Sequence, residues 1–366
     1  MKAGLKQTGK TDTVLVALVL ILVVFGLAAL FSASEYNGRV RFHDSAYYFK
    51  KQLFATALGL LVMYLVAKTD YHLPVVLAPA AYLLSLLLST AVLIFGQEIN
   101  GSKRWLILGP LSFQPSEFSK MAVIIFLVWQ ISRTKKKTTG FWFMARTMLT
   151  LLPVAGLVGS NNLSTAVIIL GIGVVLIFVA NPAYLQFLAL GSAGIGFIAV
   201  FLAAESYRLE RLAIWRDPEK YEKGFQTIQG LYAIGSGGIF GRGLGNSLQK
   251  LGFVPEAQND MIFSIVCEET GIFGAFVLIF LFVLLMWRLC VLALGCRDLE
   301  GTLLCAGIMA HMAIQVILNI AVVTNTIPNT GITLPFVSYG GTSVVFLMGE
   351  MGLALSVSSH RRGRLA

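Results

Sequence analysis

Long apolar runs recur along the whole chain, and this feature limits the possible folds more than any other. Runs of about 18 or more apolar residues have the length that crosses a bilayer as a helix. Of the 366 residues, 57% are hydrophobic and 13% are charged, too few charges for the surface of a soluble protein of this size. The short alternating segments of a membrane barrel are not seen. The sequence therefore predicts an all-α integral membrane protein.

We predict about ten transmembrane helices in a single polytopic domain, 1–366. The predicted spans are 13–33, 52–67, 74–96, 116–132, 143–160, 164–180, 183–203, 261–287, 302–324 and 341–358. The first run follows Lys2, Lys6 and Lys10 and is long for the core of a signal peptide, so we expect an uncleaved helix. A large extracytoplasmic loop, 204–260, separates the seventh and eighth spans.

The distribution of Lys and Arg predicts the orientation. With the N-terminus inside, most of the basic residues outside the long loop lie in inner segments, which favours both termini in the cytoplasm of a bacterium. The net charge of +10 then matches anionic membrane lipids. No aromatic-basic pattern typical of RNA binding is present, so we expect no nucleic-acid partner.

Cysteine and histidine do not indicate a disulfide framework or a structural metal. The four cysteines, Cys267, Cys290, Cys296 and Cys305, lie in or beside apolar runs without CxxC spacing, which predicts packing residues. The four histidines form no HExxH pattern, so a tightly bound structural metal is not expected.

The loop after the third predicted span carries cationic groups at the outer surface. Lys103 and Arg104 offer donors there, and Trp105 suits the boundary between lipid and water. Ser116 is a candidate N-cap of the next span, with Glu117 and Lys120 as i,i+3 neighbours on its first turn. A charged pair there either fixes helix packing as a buried ion pair or contacts a substrate directly.

A second group of acids surrounds the start of the eighth predicted span. Asp260 is either an N-cap of that helix or a general base at the outer face, where partial desolvation would raise its pKa. Glu256 precedes it by one turn. Glu268 and Glu269 fall about two turns into the bilayer, and we predict that they are paired and structural.

Two glycine-rich stretches interrupt the helical pattern. The first, Gly235–Asn246, lacks the strand and βαβ unit of a nucleotide-binding loop, so we expect it to line a substrate or to pack closely against a helix. The second, Asn325–Gly341, contains Pro328, Pro335 and the Gly340-Gly341 pair. Irregular backbone near membrane depth has to line a cavity or be buried in protein.

Four motifs in order along the chain resemble one family. They begin at Arg104-Trp105 with Gln114-Pro-Ser-Glu-x2-Lys120, and continue with Tyr232–Ser247, Pro255–Phe263 and Leu334–Ser343. Together they are similar to the SEDS proteins (shape, elongation, division and sporulation), typified by FtsW and RodA, and the second and third motifs resemble FtsW and SpoVE more than RodA. One departure is Asn161-Asn-Leu-Ser-Thr165, where the family often has an acid.

The resemblance implies a peptidoglycan glycosyltransferase that polymerises lipid II. It implies that Asp260 is the essential acid and that the first motif and the last loop contact substrate. The residues so implied are Arg104, Trp105, Glu117, Lys120, Ser338 and Ser343. From their charge and position beside these residues, Lys103 and Glu256 are also predicted to bind substrate. No cofactor is firmly implied, although a divalent cation such as Mg²⁺ or Mn²⁺ would suit a pyrophosphate leaving group.

The resemblance also implies partners, and two other functions stay open. A class B penicillin-binding protein, a single-span transpeptidase, is the implied partner, with other division or sporulation proteins. Intramembrane acids such as Glu268, Glu269 and Glu350 also suit a lipid II flippase. Small, glycine-rich helix faces suit a non-catalytic division scaffold.

Overall fold

The computed structural model describes residues 11–99, 102–108, 111–134, 140–181 and 212–360, with isolated helical positions between 188 and 196. This described part is nearly all helical, and eight of its helices are long and apolar enough to cross a membrane. The protein is therefore a multi-pass helical membrane protein, as the apolar runs predict. The predicted seventh span, 183–203, lies almost wholly outside the described residues, and the total of ten spans stays a prediction.

The helices and strands follow in chain order. The helices are α1 (Thr13–Phe42), α2 (Tyr47–Lys68), α3 (His72–Val76), α4 (Ala78–Phe95), α5 (Pro115–Ser132), α6 (Phe141–Asn161), α7 (Leu163–Ala180), α8 (Phe225–Ser236), α9 (Ile262–Leu294), α10 (Leu299–Val323) and α11 (Gly341–His360). The strands are β1 (Gln97–Ile99), β2 (Ser102–Leu108) and β3 (Leu111–Phe113).

Several helices depart from the predicted bounds because apolar runs do not mark where helices end. α1 continues well past residue 33 through polar turns, where Arg39 pairs with Glu35 at 2.7 Å, and it ends at the left-handed His43. The predicted third span is two helices, and Pro79 lies in the first turn of α4, where a missing N–H costs nothing.

The loop between α4 and α5 contains a small antiparallel sheet, which is an addition to the nearly all-helical fold. β2 lies in the middle, with Gln97 opposite Trp105 and Leu106 opposite Phe113. The strands are too short to be recognised among the apolar runs. The sheet carries Lys103 and Arg104 on a paired strand, which fixes their backbone.

One apolar core joins the spanning helices of the described part. α11 packs along α2 through small residues, since a methyl group on Gly59 would lie 2.9 Å from Met348 and one on Gly352 would lie 2.8 Å from the Met63 carbonyl. The four cysteines are free, as predicted, and Cys267 and Cys305 are buried in this packing.

The ends of the described chain meet at one face of the bundle, which we call the Asp12 face. The Asp12 N–H donates to Ser358 Oγ at 3.2 Å, and Arg288 donates to the Asp12 carboxylate from two nitrogens. The start of α1 and the ends of α9 and α11 therefore lie together. Asp260 precedes α9, whose 33 residues rise roughly 50 Å, so it lies at the other face, the Asp260 face.

Ionisable side chains tie two turns together at the Asp12 face. Tyr71 Oη donates to Asp298 Oδ1 at 2.8 Å, and the His72 ring contacts Asp70 at 2.6 Å. Burial raises the pKa of the Tyr71 hydroxyl, and the neighbouring Asp298 carboxylate raises it further. The Tyr71–Asp298 bond joins the turn after α2 to the start of α10.

The segment before α9 is a packed element and not a free loop. From residue 212 it contains α8 and the glycine-rich turn, whereas residues 204–211 lie outside the described part. α9 is broken at Gly271, whose φ is +68°, and the turn pairs with the broken backbone there. The N–H groups of Arg242 and Gly243 each donate at 3.0 Å to the carbonyls of Glu268 and Glu269. The described half of the predicted large extracytoplasmic loop is thus packed against α9, and its side of the membrane stays a prediction.

Glu268 and Glu269 are paired, as predicted. The Glu268 carboxylate accepts bonds from the Leu248 and Gln249 N–H groups and from the Ser247 hydroxyl. Lys250 Nζ lies 3.2 Å from Glu269 Oε1. These two acids anchor the glycine-rich segment within the membrane-spanning bundle.

Candidate active site

Three connections meet at the Asp260 face and carry most of the predicted site. They are the sheet between α4 and α5, the turn that leads into α9, and the segment between α10 and α11. The ends of α6 and α7 complete the same region, since Asn161 bonds to the sheet and Ser164 Oγ donates to the Thr330 carbonyl at 3.1 Å. The tertiary fold thus gathers residues that are more than 200 positions apart in the chain.

Asp260 lies at this face but does not cap α9. The N-cap position is Met261, and no side chain caps the helix. The residue is 9% exposed, and its Oδ1 is 3.5 Å from Gln226 Nε2 of α8. Its backbone carbonyl accepts a bond of 2.8 Å from Asn319 of α10. The N-cap alternative is therefore wrong.

Arg104 and Asp260 approach each other at Gly331. A methyl group on Gly331 would lie 3.8 Å from Arg104 Nη1 and 3.9 Å from Asp260 Oδ2. Gly331 has a φ of +69°, a conformation that side chains rarely adopt. Here the structure places a guanidinium and a carboxylate as neighbours, from two motifs that the sequence could only order along the chain.

Asn161 anchors the strand that carries the cationic groups. Its carbonyl accepts from Arg104 Nε at 3.1 Å, and its side-chain amide donates to the Lys103 carbonyl at 2.8 Å. The Lys103 side chain is exposed and Trp105 is half-buried on the same strand. Asn162 caps α7 by accepting from the Thr165 N–H at 3.2 Å. Asn161 and Asn162, in the stretch that departs from the family pattern, therefore have a structural function in this protein.

A narrow pocket opens beside Arg104 between α4, α5 and α6. Its lining residues are Ser89, Val92, Arg104, Pro115, Ser116, Leu157, Val158, Asn161 and Asn162. Ser116 was predicted to cap α5, but the helix begins one residue earlier at Pro115 and Gln114 is the N-cap position. Proline at the first helical position sets the start of the helix, which leaves Ser116 on the pocket wall.

Glu117 and Lys120 form a buried ion pair below this face. Lys120 Nζ lies 2.9 Å from Glu117 Oε1 and donates to Gln315 Oε1 at 2.9 Å, and the lysine is 1% exposed. Ser343, on the first turn of α11, lies beside the Glu117 carboxylate. This geometry fits the packing alternative for the pair, and a direct contact of Glu117, Lys120 or Ser343 with substrate stays a prediction.

Glu256 and Ser338 make contacts with residues other than Asp260. Glu256 adopts a φ of +54° and is 3.4 Å from Arg41 at the end of α1. Ser338 is buried, and its hydroxyl accepts from the Leu334 N–H at 2.8 Å, which closes the turn before α11. Their predicted role in substrate binding is untested by these contacts.

The site also contains residues that the sequence reasoning missed. Gln226, Asn319 and Gly331 all contact Asp260 or its backbone, and Asn161 holds the Arg104 strand. A buried amide in an apolar span is a recognisable sign, since polar groups at membrane depth are costly unless they are bonded. Asn319 carries that sign, whereas Gly331 could be placed only by the fold.

These features define a class of protein: a multi-pass helical membrane protein that presents one acid and one arginine together at a single membrane face. A model of the family described as "Cell cycle protein", FtsW, RodA and SpoVE, matches residues 12–363. The chain belongs to this family.

Curated relatives and solved structures agree with that assignment. Stage V sporulation protein E of Bacillus subtilis (strain 168) is 39% identical, with 96% of this chain and 98% of the relative covered. A probable peptidoglycan glycosyltransferase FtsW of Trichlorobacter lovleyi is 33% identical, with 95% and 93% covered. Among solved structures, a chain of a peptidoglycan synthase complex described as coordinating polymerization and crosslinking has a TM-score of 0.82 at 31% identity, covering 96% of this chain and 98% of that one. RodA of Thermus thermophilus has a TM-score of 0.73 at 30% identity, covering 97% and 98%.

Proposed function

We propose that this protein is a peptidoglycan glycosyltransferase that polymerises lipid II into β-1,4-linked glycan strands and releases undecaprenyl pyrophosphate. The observation that carries the proposal is the meeting of Asp260 and Arg104 at Gly331, on the face opposite the chain ends. A base and a cation side by side match the two demands of this reaction, which are deprotonation of a sugar hydroxyl and stabilisation of a pyrophosphate.

Asp260 is the general base of the proposed mechanism. It takes the proton from the C4 hydroxyl of the acceptor N-acetylglucosamine, and that oxygen attacks C1 of the donor N-acetylmuramic acid. The α-pyrophosphate leaves and a β bond forms, so the reaction is a single inversion. One carboxylate suffices, in contrast to the two carboxylates of most glycoside hydrolases. A general base has to lie within hydrogen-bond reach of the hydroxyl, about 3 Å, or be connected to it by one bridging water.

Arg104 and Lys103 stabilise the leaving pyrophosphate. A pyrophosphate is already acidic, so stabilising its charge matters more than protonating it. Arg104 is fixed by its bond to Asn161, whereas the exposed Lys103 is free to reach outward. Lys120 is a poor third candidate because it is buried against Glu117 and Gln315.

A divalent cation at this face would depend on substrate oxygens. In the described part of the chain, the only three His, Cys, Asp or Glu residues with ligand atoms within reach of one ion are His72, Asp298 and Glu300, at the Asp12 face. Near Asp260 no such set is described. Mg²⁺ commonly keeps substrate phosphates among its ligands, so a cation bound here would be held mainly by the pyrophosphate and would stabilise its charge.

The membrane orientation and the partner complete the proposal. Both chain ends face the cytoplasm of a bacterium, and the Asp260 face is extracytoplasmic, where lipid II is used. The distribution of Lys and Arg supports this orientation. The partner is a class B penicillin-binding protein that crosslinks the new strands, in septal or sporulation wall synthesis, because the similar complex joins polymerization with crosslinking.

The deciding experiment is Asp260→Asn, which keeps the volume of the side chain and removes the base. We expect a folded, membrane-inserted protein that makes no glycan strands from purified lipid II in the presence of its transpeptidase partner, as measured by gel analysis of the polymer. Asp217→Asn is the matched control, because Asp217 is an exposed acid paired with Lys220 in the same connecting segment. Polymerisation by Asp260→Asn at the rate of the unmodified protein would remove Asp260 from the mechanism.

A lipid II flippase is the second candidate, and one observation favours it. His311 and Glu350 form a buried pair at 2.8 Å near the middle of α10 and α11, where a transporter would need charge. Proteoliposomes with labelled lipid II separate the two functions. Translocation without polymer by the unmodified protein would establish the flippase, and polymer formation that depends on Asp260 would establish the glycosyltransferase.

A further inference from the structure

α10 carries a line of three buried polar residues inside an apolar helix. His311, Gln315 and Asn319 are spaced four residues apart, which places them along one face of the helix. Each is at most 2% exposed. A buried polar group at membrane depth costs free energy unless it is bonded, so such a line is retained for its contacts.

The contacts run from the middle of the bundle to the Asp260 face. His311 is 2.8 Å from Glu350, and its other ring nitrogen is 2.9 Å from Gln315 Oε1. Gln315 Oε1 also accepts from Lys120, while Gln315 Nε2 donates to the Thr333 carbonyl at 3.0 Å. The line thus joins two buried ion pairs to the segment between α10 and α11.

Asn319 forms the last link and touches both sides of the candidate site. Its Nδ2 donates to the Asp260 carbonyl at 2.8 Å and to the Ile332 carbonyl at 2.7 Å. Its Oδ1 is buried with no hydrogen-bond partner in the described part of the chain. The Asn319 side chain therefore acts through its Nδ2 hydrogens. These two bonds clamp the turn before α9 to the segment that contains Gly331.

We propose that Asn319 is a positioning residue that holds Asp260 in register with Gly331 and Arg104, while Gln315 holds the adjacent Thr333 carbonyl. Ile332 is adjacent to Gly331, so the same amide fixes the backbone of both neighbours. A displacement of about 1 Å in a catalytic group lowers turnover by up to about a hundredfold. This inference rests on the proposed glycosyltransferase function.

The test compares two substitutions of Asn319 with a matched control. Asn319→Asp keeps the shape and replaces the donor nitrogen with oxygen, and Asn319→Leu removes the polar group. Gln130→Leu is the control. Gln130 lies near the C-terminal end of α5, and its buried amide accepts a bond from Thr150. It loses a comparable buried bond far from Asp260.

Two readouts separate positioning from stability. In polymerisation assays both Asn319 variants are expected to lower kcat about tenfold to a hundredfold, with KM changed less than about twofold, while Gln130→Leu keeps kcat even where its Tm falls. Hydrogen exchange is expected to accelerate in segments 251–261 and 330–334 of the Asn319 variants only. Unchanged kcat in folded Asn319 variants, or unchanged exchange in both segments, overturns the proposal. A lack of polymer from the unmodified protein would refute the proposed function instead, and the exchange measurement would still decide whether the clamp exists.

Discussion

At the scale of single residues, the site depends on positions whose importance comes from contact with distant parts of the chain. Gly331 is the clearest case, because it adopts a positive φ and lies against both Arg104 and Asp260. A side chain at this position would be strained by the backbone and would also lie in van der Waals contact with two ionic groups. The effect of the positive φ and the effect of the contacts can be separated by substituting two glycines that share the φ but differ in their neighbours.

We predict that Gly331→Ala lowers polymerisation more than it lowers stability. The left-handed conformation costs about 1–2 kcal/mol for a residue with a side chain, and the added methyl group touches the Arg104 and Asp260 side chains. Gly238→Ala is the control, since Gly238 has a φ of +58° and no atom within 4 Å of the added carbon. We expect similar losses in Tm for both variants and reduced kcat only for Gly331→Ala. Equal kcat in the two variants would contradict the prediction.

Arg104 tests whether a positive charge alone is sufficient. Arg104→Lys keeps the charge but loses the Nε bond to the Asn161 carbonyl and the planar fork that suits phosphate. We expect kcat/KM for lipid II to fall about tenfold, because a hydrogen bond from a charged group contributes about 1.5–3 kcal/mol. Arg39→Lys, in an exposed pair with Glu35, is expected to leave kcat/KM unchanged. Full activity in Arg104→Lys would show that charge alone suffices.

At the scale of elements, the break in α9 and the glycine-rich turn form one unit. A methyl group on Gly241 would lie 2.2 Å from the Glu269 carbonyl, and one on Gly237 would lie 2.0 Å from the Cys267 carbonyl. The turn therefore packs against the helix as closely as backbone allows. Large apolar side chains of the same segment, including Phe240, Leu244 and Phe253, are exposed on the surface of the bundle. The segment therefore leaves an exposed apolar surface beside α9.

We predict that Lys250→Met destabilises the protein by about 3–5 kcal/mol, because it leaves the Glu269 carboxylate buried without its cation. Lys250 also donates to Ser32 Oγ and to the Gly245 carbonyl, so the loss loosens the whole segment. Thermal unfolding in detergent measures the effect. The control is Lys220→Met, which breaks an exposed pair with Asp217 and is expected to cost at most about 1 kcal/mol. Equal Tm values for the two variants would show that the buried pair does not anchor the segment.

At the scale of the whole molecule, the fold separates the ends of the described chain from the candidate site. Asp12 bonds with Arg288 and Ser358 at one face, and Asp260 lies at the other. If the Asp12 face is cytoplasmic, Asp260 faces the outside of the cell. An enzyme that uses an extracytoplasmic lipid-linked sugar requires that orientation.

Reporter fusions test the predicted orientation. A fluorescent protein that matures only in the cytoplasm, fused after His360, is expected to fluoresce. Alkaline phosphatase, which is active only outside, is expected to be active when it is fused after Lys220, an exposed position before α8. Fluorescence and phosphatase activity in the reverse pattern would turn Asp260 towards the cytoplasm and refute the proposed use of external lipid II.

The sequence alone determined the membrane class, most of the spans and the order of the motifs. Apolar length is a local property, because a helix in lipid satisfies its own backbone and needs only about 20 apolar residues. The pairing of Glu268 and Glu269 followed from the same reasoning, since an unpaired acid at that depth is too costly.

Only the tertiary structure decided which residues share the site. The neighbouring positions of Arg104 and Asp260, the clamp formed by Asn319 and the packing of the glycine-rich turn into α9 all join segments far apart in the chain. The short sheet and the start of α5 at Pro115 also escaped prediction, because apolar runs do not mark strand pairing or helix caps. Spacing along a chain determines local periodicity, whereas contacts between distant residues depend on how helices pack across the whole bundle.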